Sequence, residues 1–234
     1  MNDEPDISRI AGLLADPARA RILWTLIDGT TRPAGELAYA ASISAQSASG
    51  HLAKLVEGGL LKSEAQGRHR YFRIGSPEVA IVIEGLASLS AADKPRPPHD
   101  PLPTSSTPVQ FLQARTCYGH LAGEMAVQLL QAMLASGWLA ASGQDFTVTP
   151  LGQQQLAALD IDVNTAQQPR RVFARACVDL TQRRPHLSGV LGDALLQAFV
   201  AKGWILRHRR SRVVTITPTG SESLRHTFGI RQEL

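Results

Sequence analysis

The residues at 120–139, HLAGEMAVQLLQAMLASGWL, return at 186–205 as HLSGVLGDALLQAFVAKGWI, with 10 of the 20 positions identical and no gap. Chance would match about one, so this part of the chain reads as an internal duplication. The flanks agree: TVTPLG at 147–152 is matched by TITPTG at 215–220, and ARTC at 114–117 by ARAC at 174–177. The second copy has two extra residues in its later hairpin and six extra between its cysteine and histidine. Each copy, about 114–160 and 174–228, predicts a cysteine, a histidine, an amphipathic helix, Gly-Trp, a β-hairpin and a helix begun near Pro-x-Gly. Leu121, Met125, Leu129 and Met133 form the apolar stripe of one copy, and Leu187, Leu191, Leu195 and Phe199 that of the other. Such helix–hairpin–helix units are expected to pack as a pseudo-symmetric pair.

The duplication occupies only the later part of the chain. Ahead of it, ADKPRPPHDPLPTSSTP at 92–108 contains six prolines. Repeated proline removes amide donors and disfavours helix at each preceding residue, so this segment predicts an extended linker. It separates residues 1–91 from a C-terminal region at 109–234. In the first module Ile7, Ile10, Leu13 and Leu14 give one helical stripe, and Pro17 suits the first turn of a second helix. A short third helix is expected over 36–41. Ser44 suits the N-cap of a fourth, which carries Leu52, Leu55 and Val56 on its apolar face. Residues 58–74 read as a β-hairpin with a basic tip, and Pro77 opens a fifth helix. This is the element order of a winged helix-turn-helix. The fold class expected for the whole chain is α+β, mostly helical with short β-hairpins.

LADPARARILWTL (14–26), SAQSASGHLAKLVEGGLL (44–61) and GRHRYFRI (67–74) together resemble the ArsR/SmtB family of bacterial repressors. The resemblance covers about residues 7–90. It implies a dimer on two-fold operator DNA, with the first and fifth helices as the interface. Gly50 stands where the family usually carries a polar or basic side chain. Many members of the family sense metals through cysteines in the third helix or His/Asp/Glu clusters in the fifth. Here the third helix has no thiol, and the fifth offers only Glu78 and Glu84.

The chemistry of the fourth helix agrees with that resemblance. Small polar side chains at its N-terminal end let a helix enter the major groove. Gln46 can read an adenine edge, while Ser44, Ser47, Ser49 and His51 can bond bases or phosphates. Lys54 is a candidate phosphate contact, and Arg68 and Arg70 at the wing tip can follow the backbone or reach into the minor groove. Residues 1–91 carry 9 Lys/Arg against 10 Asp/Glu, whereas 169–234 carry 12 against 4. The first module therefore promises only modest non-specific affinity. In the basic C-terminal third, Arg207, Arg209, Arg210 and Arg212 sit at a hairpin tip, as phosphate contacts or as a solvated loop.

Cys117, His120, Cys177 and His186 occupy matching positions in the two copies. If the copies meet about a pseudo-two-fold, an S₂N₂ set suited to Zn²⁺ or another thiophilic metal results. The same residues can instead be a thiol redox switch, or plain core and capping residues. Tyr118, Met125, Trp138, Phe199 and Trp204 can line an apolar pocket for an organic effector, or be core. A nucleophilic Cys117 with His120 as base lacks an orienting carboxylate, so no catalytic residue is assigned and no enzyme is expected. Mean hydropathy is −0.07 and no apolar run is long enough to span a bilayer. The acidic N-terminus does not read as a secretory signal, and two cysteines make no disulfide framework, so a cytoplasmic location is expected. The chain thus reads as a dimeric, effector-responsive, DNA-binding repressor. A winged helix serving only protein–protein interaction is the alternative.

Overall fold

The computed structural model describes residues 6–67, 69–92, 108–117, 119–143, 145–163, 172–209 and 211–231. Two compact units result, residues 1–93 and 94–234. The proline-rich segment expected to be a linker lies, apart from its two ends, outside the described residues.

In the first unit, α1 (Ile7–Leu14) and α2 (Pro17–Thr25) meet at Asp16. The Asp16 carboxylate accepts hydrogen bonds from the Ala18 and Arg19 amides, and Pro17 occupies a first-turn position where no amide is needed. β1 (Arg32–Pro33) leads into α3 (Ala34–Ala41), which starts two residues before the expected 36 because Pro33 is already extended at its N-cap. Ser42, at φ 57°, turns the chain toward α4 (Ala45–Glu57), and the Ser44 hydroxyl accepts from the Ser47 amide as its cap. β2 (Leu61–Gln66) and β3 (His69–Ile74) form the hairpin, β1 adds to β3, and α5 (Pro77–Ala92) follows. Ile22, Leu23, Leu37, Leu52, Leu55, Leu61 and Phe72 supply the core. This is a winged helix-turn-helix.

The second unit opens with α6 (Val109–Gln113). Then come β4 (Arg115–Cys117), β5 (His120–Ala122), α7 (Glu124–Ala135), β6 (Leu139–Ser142), β7 (Asp145–Val148) and α8 (Pro150–Ala157). The order resumes with β8 (Arg175–Val178), β9 (Pro185–Ser188), α9 (Gly189–Ala201), β10 (Ile205–Arg207), β11 (Val214–Ile216) and α10 (Pro218–Phe228). The histidines precede the amphipathic helices as expected but lie on strands. Each cysteine and histidine face one another across an antiparallel hairpin, Cys117 opposite His120 and Cys177 opposite His186. The chain turns at Gly123, just before α7, and at Gly189, the first residue of α9, with φ values of 88° and 82°. A Cβ there would lie 2.9 Å from the Gln113 carbonyl or 2.6 Å from that of Val172. Glycine is required at both turns.

The halves exchange their hairpins. The Phe146 amide on β7 donates to the Ala174 carbonyl at 3.0 Å, joining β6-β7 to β8-β9 in one four-stranded sheet. Reciprocally, the Val214 amide on β11 donates to the Ala114 carbonyl at 3.0 Å. In the same sense, β5 packs against α9 and β9 against α7. Both apolar stripes named from the sequence are buried in the shared core. Gly152 and Gly220 sit where a Cβ would be 2.0 and 1.9 Å from the Trp138 and Trp204 carbonyl oxygens. That close approach is why each Gly-Trp is followed by a Pro-x-Gly helix start.

Candidate functional site

Two sets of side chains concentrate the chemistry, one in each unit. In the first, Ala48, Leu52 and Leu55 bury one face of α4, while Gln46, Ser47, Ser49, Gly50 and Lys54 are exposed on the other. Ser44 is exposed but its hydroxyl is engaged as the cap, and the Ser49 hydroxyl donates to the Ala45 carbonyl at 3.0 Å. The His51 ring is partly exposed, and its Nδ1 turns toward the Asp16 carboxylate, 3.7 Å away, at the start of α2. Arg70 is exposed on β3, while Arg68 lies outside the described residues. A Cβ on Gly50 would meet nothing within 4 Å, so the glycine leaves open space on the exposed face of α4 rather than relieving a clash.

In the second unit the hairpin exchange brings Cys117, His120, Cys177 and His186 together. One ligand atom from each, sulfur or ring nitrogen, lies within 4.8 Å of all the others. The two Nε2 atoms are 3.0 Å apart and the ring centroids 5.0 Å. Only one hydrogen fits between nitrogens so placed, so at least one ring directs a lone pair into the cluster. Cys117 and His186 are buried; His120 and Cys177 are partly so. A hydrogen bond with Cys177 and burial push the Cys117 thiol up to about 11, against smaller opposing effects of the two histidines. Gly192 allows the close approach: a Cβ there would lie 2.7 Å from the Leu187 carbonyl and 3.1 Å from the His120 Cβ.

Behind His186 lies a buried polar network that sequence reasoning missed. Asp179 Oδ1 accepts from Arg115 Nη2 at 2.8 Å, from the Thr181 amide and hydroxyl, and from the Gln182 amide. Its Oδ2 accepts from the Gly123 amide at 2.7 Å and stands 3.5 Å from His186 Nδ1. Burial alone would raise the Asp179 carboxyl. The Arg115 guanidinium and the Gln182 and Gly123 amides outweigh it and hold the group well below the usual carboxylate range. Arg115 is 1% exposed, lies over the Phe111 ring and donates to the Phe111 carbonyl at 3.0 Å. The available signal was the six-residue insertion in the second copy, which carries Asp179 and Thr181.

Of the two readings given to the aromatic and methionine residues, the packing agrees with the core. Met125, Trp138, Phe199 and Trp204 are all core residues, with Trp138 against Phe228 and Phe199 against Trp204 at ring-centroid distances of 5.0 and 4.9 Å. Tyr118 lies outside the described residues. The basic hairpin divides. Arg207 and Arg209 are exposed, whereas Arg212 Nε donates to the Thr116 carbonyl at 2.9 Å and the guanidinium lies over Phe111. Arg210 lies outside the described residues. Among the described residues no helix is long and apolar enough to cross a membrane.

Comparison with known proteins gives the site its setting. Residues 14–64 match a family model described as a helix-turn-helix domain. The chain is 40% identical over 216 residues to the uncharacterized HTH-type transcriptional regulator YdfF of Bacillus subtilis, covering 92% of this chain and 94% of that protein. It is 32% identical over 89 residues to the HTH-type transcriptional regulator CmtR of Mycobacterium tuberculosis, 38% of this chain and 75% of that one. Among solved structures, HlyU from Vibrio cholerae is 29% identical, covering 35% of this chain and 88% of that chain, with a TM-score of 0.33. The likeness to YdfF spans both units.

Proposed function

The chain belongs to the HTH-type transcriptional regulators, and from that premise we propose that it is a dimeric repressor of the ArsR kind whose second unit receives the effector. The observation that carries the reading is the two-faced α4, with Ala48, Leu52 and Leu55 locked in the core and Gln46, Ser47, Ser49 and Lys54 left to solvent. In the major groove Gln46 reads a base edge, and Lys54, Arg68 and Arg70 neutralise phosphates. Exposed apolar side chains on α1 and α5 support the dimer: Ile7 is 73% exposed and Leu89 69%. Together with Ile81, Val82 and Leu86 they form surface a monomer would leave wet. The second unit is read as a duplicated pair, its hairpin exchange supported by the matched residues around both cysteines. The effector site is the Cys/His cluster, where both halves contribute donors; this favours a metal over an organic effector.

A footprinting and gel-shift series across salt concentrations tests the DNA reading. Sequence-preferring binding is expected, with affinity falling steeply as salt rises. Gln46→Ala should cost about 1–3 kcal/mol of base discrimination. Its affinity for random DNA should stay the same. Absence of any sequence preference at low salt rejects the reading, and sedimentation as a monomer rejects the dimer.

A further inference from the structure

We propose that Cys117, His120, Cys177 and His186 bind one divalent, thiophilic metal ion in a tetrahedral S₂N₂ site that ties the two halves of the second unit together, with Asp179 as the residue that positions His186. The site itself stands on geometry in this unit alone. Its regulatory consequence rests on the DNA-binding reading above.

The donor spacing is the first argument. A tetrahedral ion with sulfur bonds of about 2.3 Å and nitrogen bonds of about 2.0–2.1 Å holds its ligand atoms about 3.3–3.8 Å apart. The four donors already lie within 4.8 Å of one another, and the two Nε2 atoms within 3.0 Å. Closing on the ion needs shifts of about 1 Å or less, a small demand on two short hairpins.

Charge selects the class of ion. On binding, each thiol releases its proton to solvent and bonds through its thiolate, while the imidazoles bond neutral. Two thiolates and one divalent cation sum to zero. A monovalent ion would leave a net negative charge among side chains that include Cys117 at 8% and His186 at 1% exposure. Uncompensated charge in such surroundings is costly. Asp179 does not alter the sum, because Arg115 neutralises it at 2.8 Å. Hard oxygen-seeking cations are excluded by the donor set, and Zn²⁺ or a similar soft divalent ion fits it.

The orientation of His186 is the second, independent argument. Metal-bound histidines commonly donate their other ring N–H to a carboxylate, which fixes the tautomer. Here Nε2 faces the cluster and Nδ1 faces Asp179 Oδ2 at 3.5 Å in a fully buried setting. Nδ1 has no hydrogen-bond partner in this arrangement. Five protein donors hold that carboxylate in place: Arg115 Nη2, the Thr181 hydroxyl, and the amides of Gly123, Thr181 and Gln182. The second copy's inserted loop carries it.

Co²⁺ titration of the tag-free, metal-stripped, reduced full-length chain tests the site. The expected result is one Co²⁺ per chain with intense visible d–d bands of a tetrahedral ion and a sulfur-to-cobalt charge-transfer band. Cys177→Ser should abolish the charge-transfer contribution of one thiolate and weaken binding at least about 100-fold. Asp179→Asn should weaken it about 10–100-fold while leaving the tetrahedral spectrum in place. Should that variant not fold, His186→Gln carries the test, with loss of stoichiometric Co²⁺. Octahedral, pale Co²⁺, or binding indifferent to Cys177→Ser, overturns the site, as does a Cys117–Cys177 disulfide that persists under the same reducing conditions. For regulation, Zn²⁺-loaded and stripped protein are compared on the same operator fragment. A change of about 5–150-fold in DNA affinity is expected, and equal affinity overturns the regulatory step. Protein that binds Co²⁺ as described but no DNA in either state removes the repressor reading and leaves the site standing.

Discussion

The two halves of the second unit carry one pattern to different ends. Arg115 and Arg175 occupy matching positions, each two residues before its cysteine. Arg115 is buried, stacked on Phe111 and paired with Asp179; Arg175 lies on the surface, its side chain 57% exposed, 3.4 Å from Asp145. The cause is the length of the loop joining cysteine to histidine. In the first half two residues suffice, whereas in the second an eight-residue connection folds back and buries Asp179, Leu180 and Thr181. Two matched stretches of sequence can thus share one core while a longer loop after one cysteine gives the two matching arginines unlike roles.

Breaking the buried pair is the strongest way to test that asymmetry. Asp179→Asn leaves the Arg115 charge buried without its counter-ion and should cost about 3–5 kcal/mol in urea unfolding followed by tryptophan fluorescence. The same pair can be read through pH. The Asp179 carboxyl is depressed in the fold, with Arg115 and His186 as its titratable or charged neighbours. Its unfolded counterpart titrates near about 4. The pair's contribution is therefore complete above that pH and is lost as pH falls toward the folded value. Stability of the native chain should drop below about pH 4 more steeply than that of Asp179→Asn, measured by unfolding at a series of acid pH values.

A second pair of substitutions probes what the halves share. A methyl group at Gly152 or Gly220 would collide with the backbone carbonyl of Trp138 or Trp204. Gly152→Ala and Gly220→Ala should each cost about 1–3 kcal/mol, nearly equally. A large inequality would show that one half carries more of the fold. The smallest effect belongs to the exposed arginine: Arg175→Ala should change stability by no more than about 0.5 kcal/mol. A loss approaching that of Asp179→Asn would erase the contrast between the two arginines.

Local order was readable in the residues themselves. Helix periodicity marked both apolar stripes, and every one of their eight residues is buried. Capping chemistry placed Ser44 at the start of α4, and the amphipathic pattern of α4 separated its exposed face from its core face. These features depend on neighbours three or four residues away, which a linear pattern records directly. The approach of His51 to Asp16 is not recorded in that way, because Asp16 lies far back in the chain as the cap of α2. For Trp138 and Trp204 the residues left two readings open, since an apolar side chain looks alike whether it lines a cavity or fills a core.

What the sequence by itself determined was the winged module, the paired Cys/His text and the residues of the shared core. Only the tertiary structure decided that each Cys/His pair rides on a hairpin, and that the hairpins exchange between halves so four donors meet. It alone joined Arg115 to Asp179 across 64 residues of chain. The physical reason is that strand pairing and buried ion pairs are choices among distant partners. Such choices are settled by which arrangement buries the apolar stripes while satisfying every backbone amide, and no local periodicity records them.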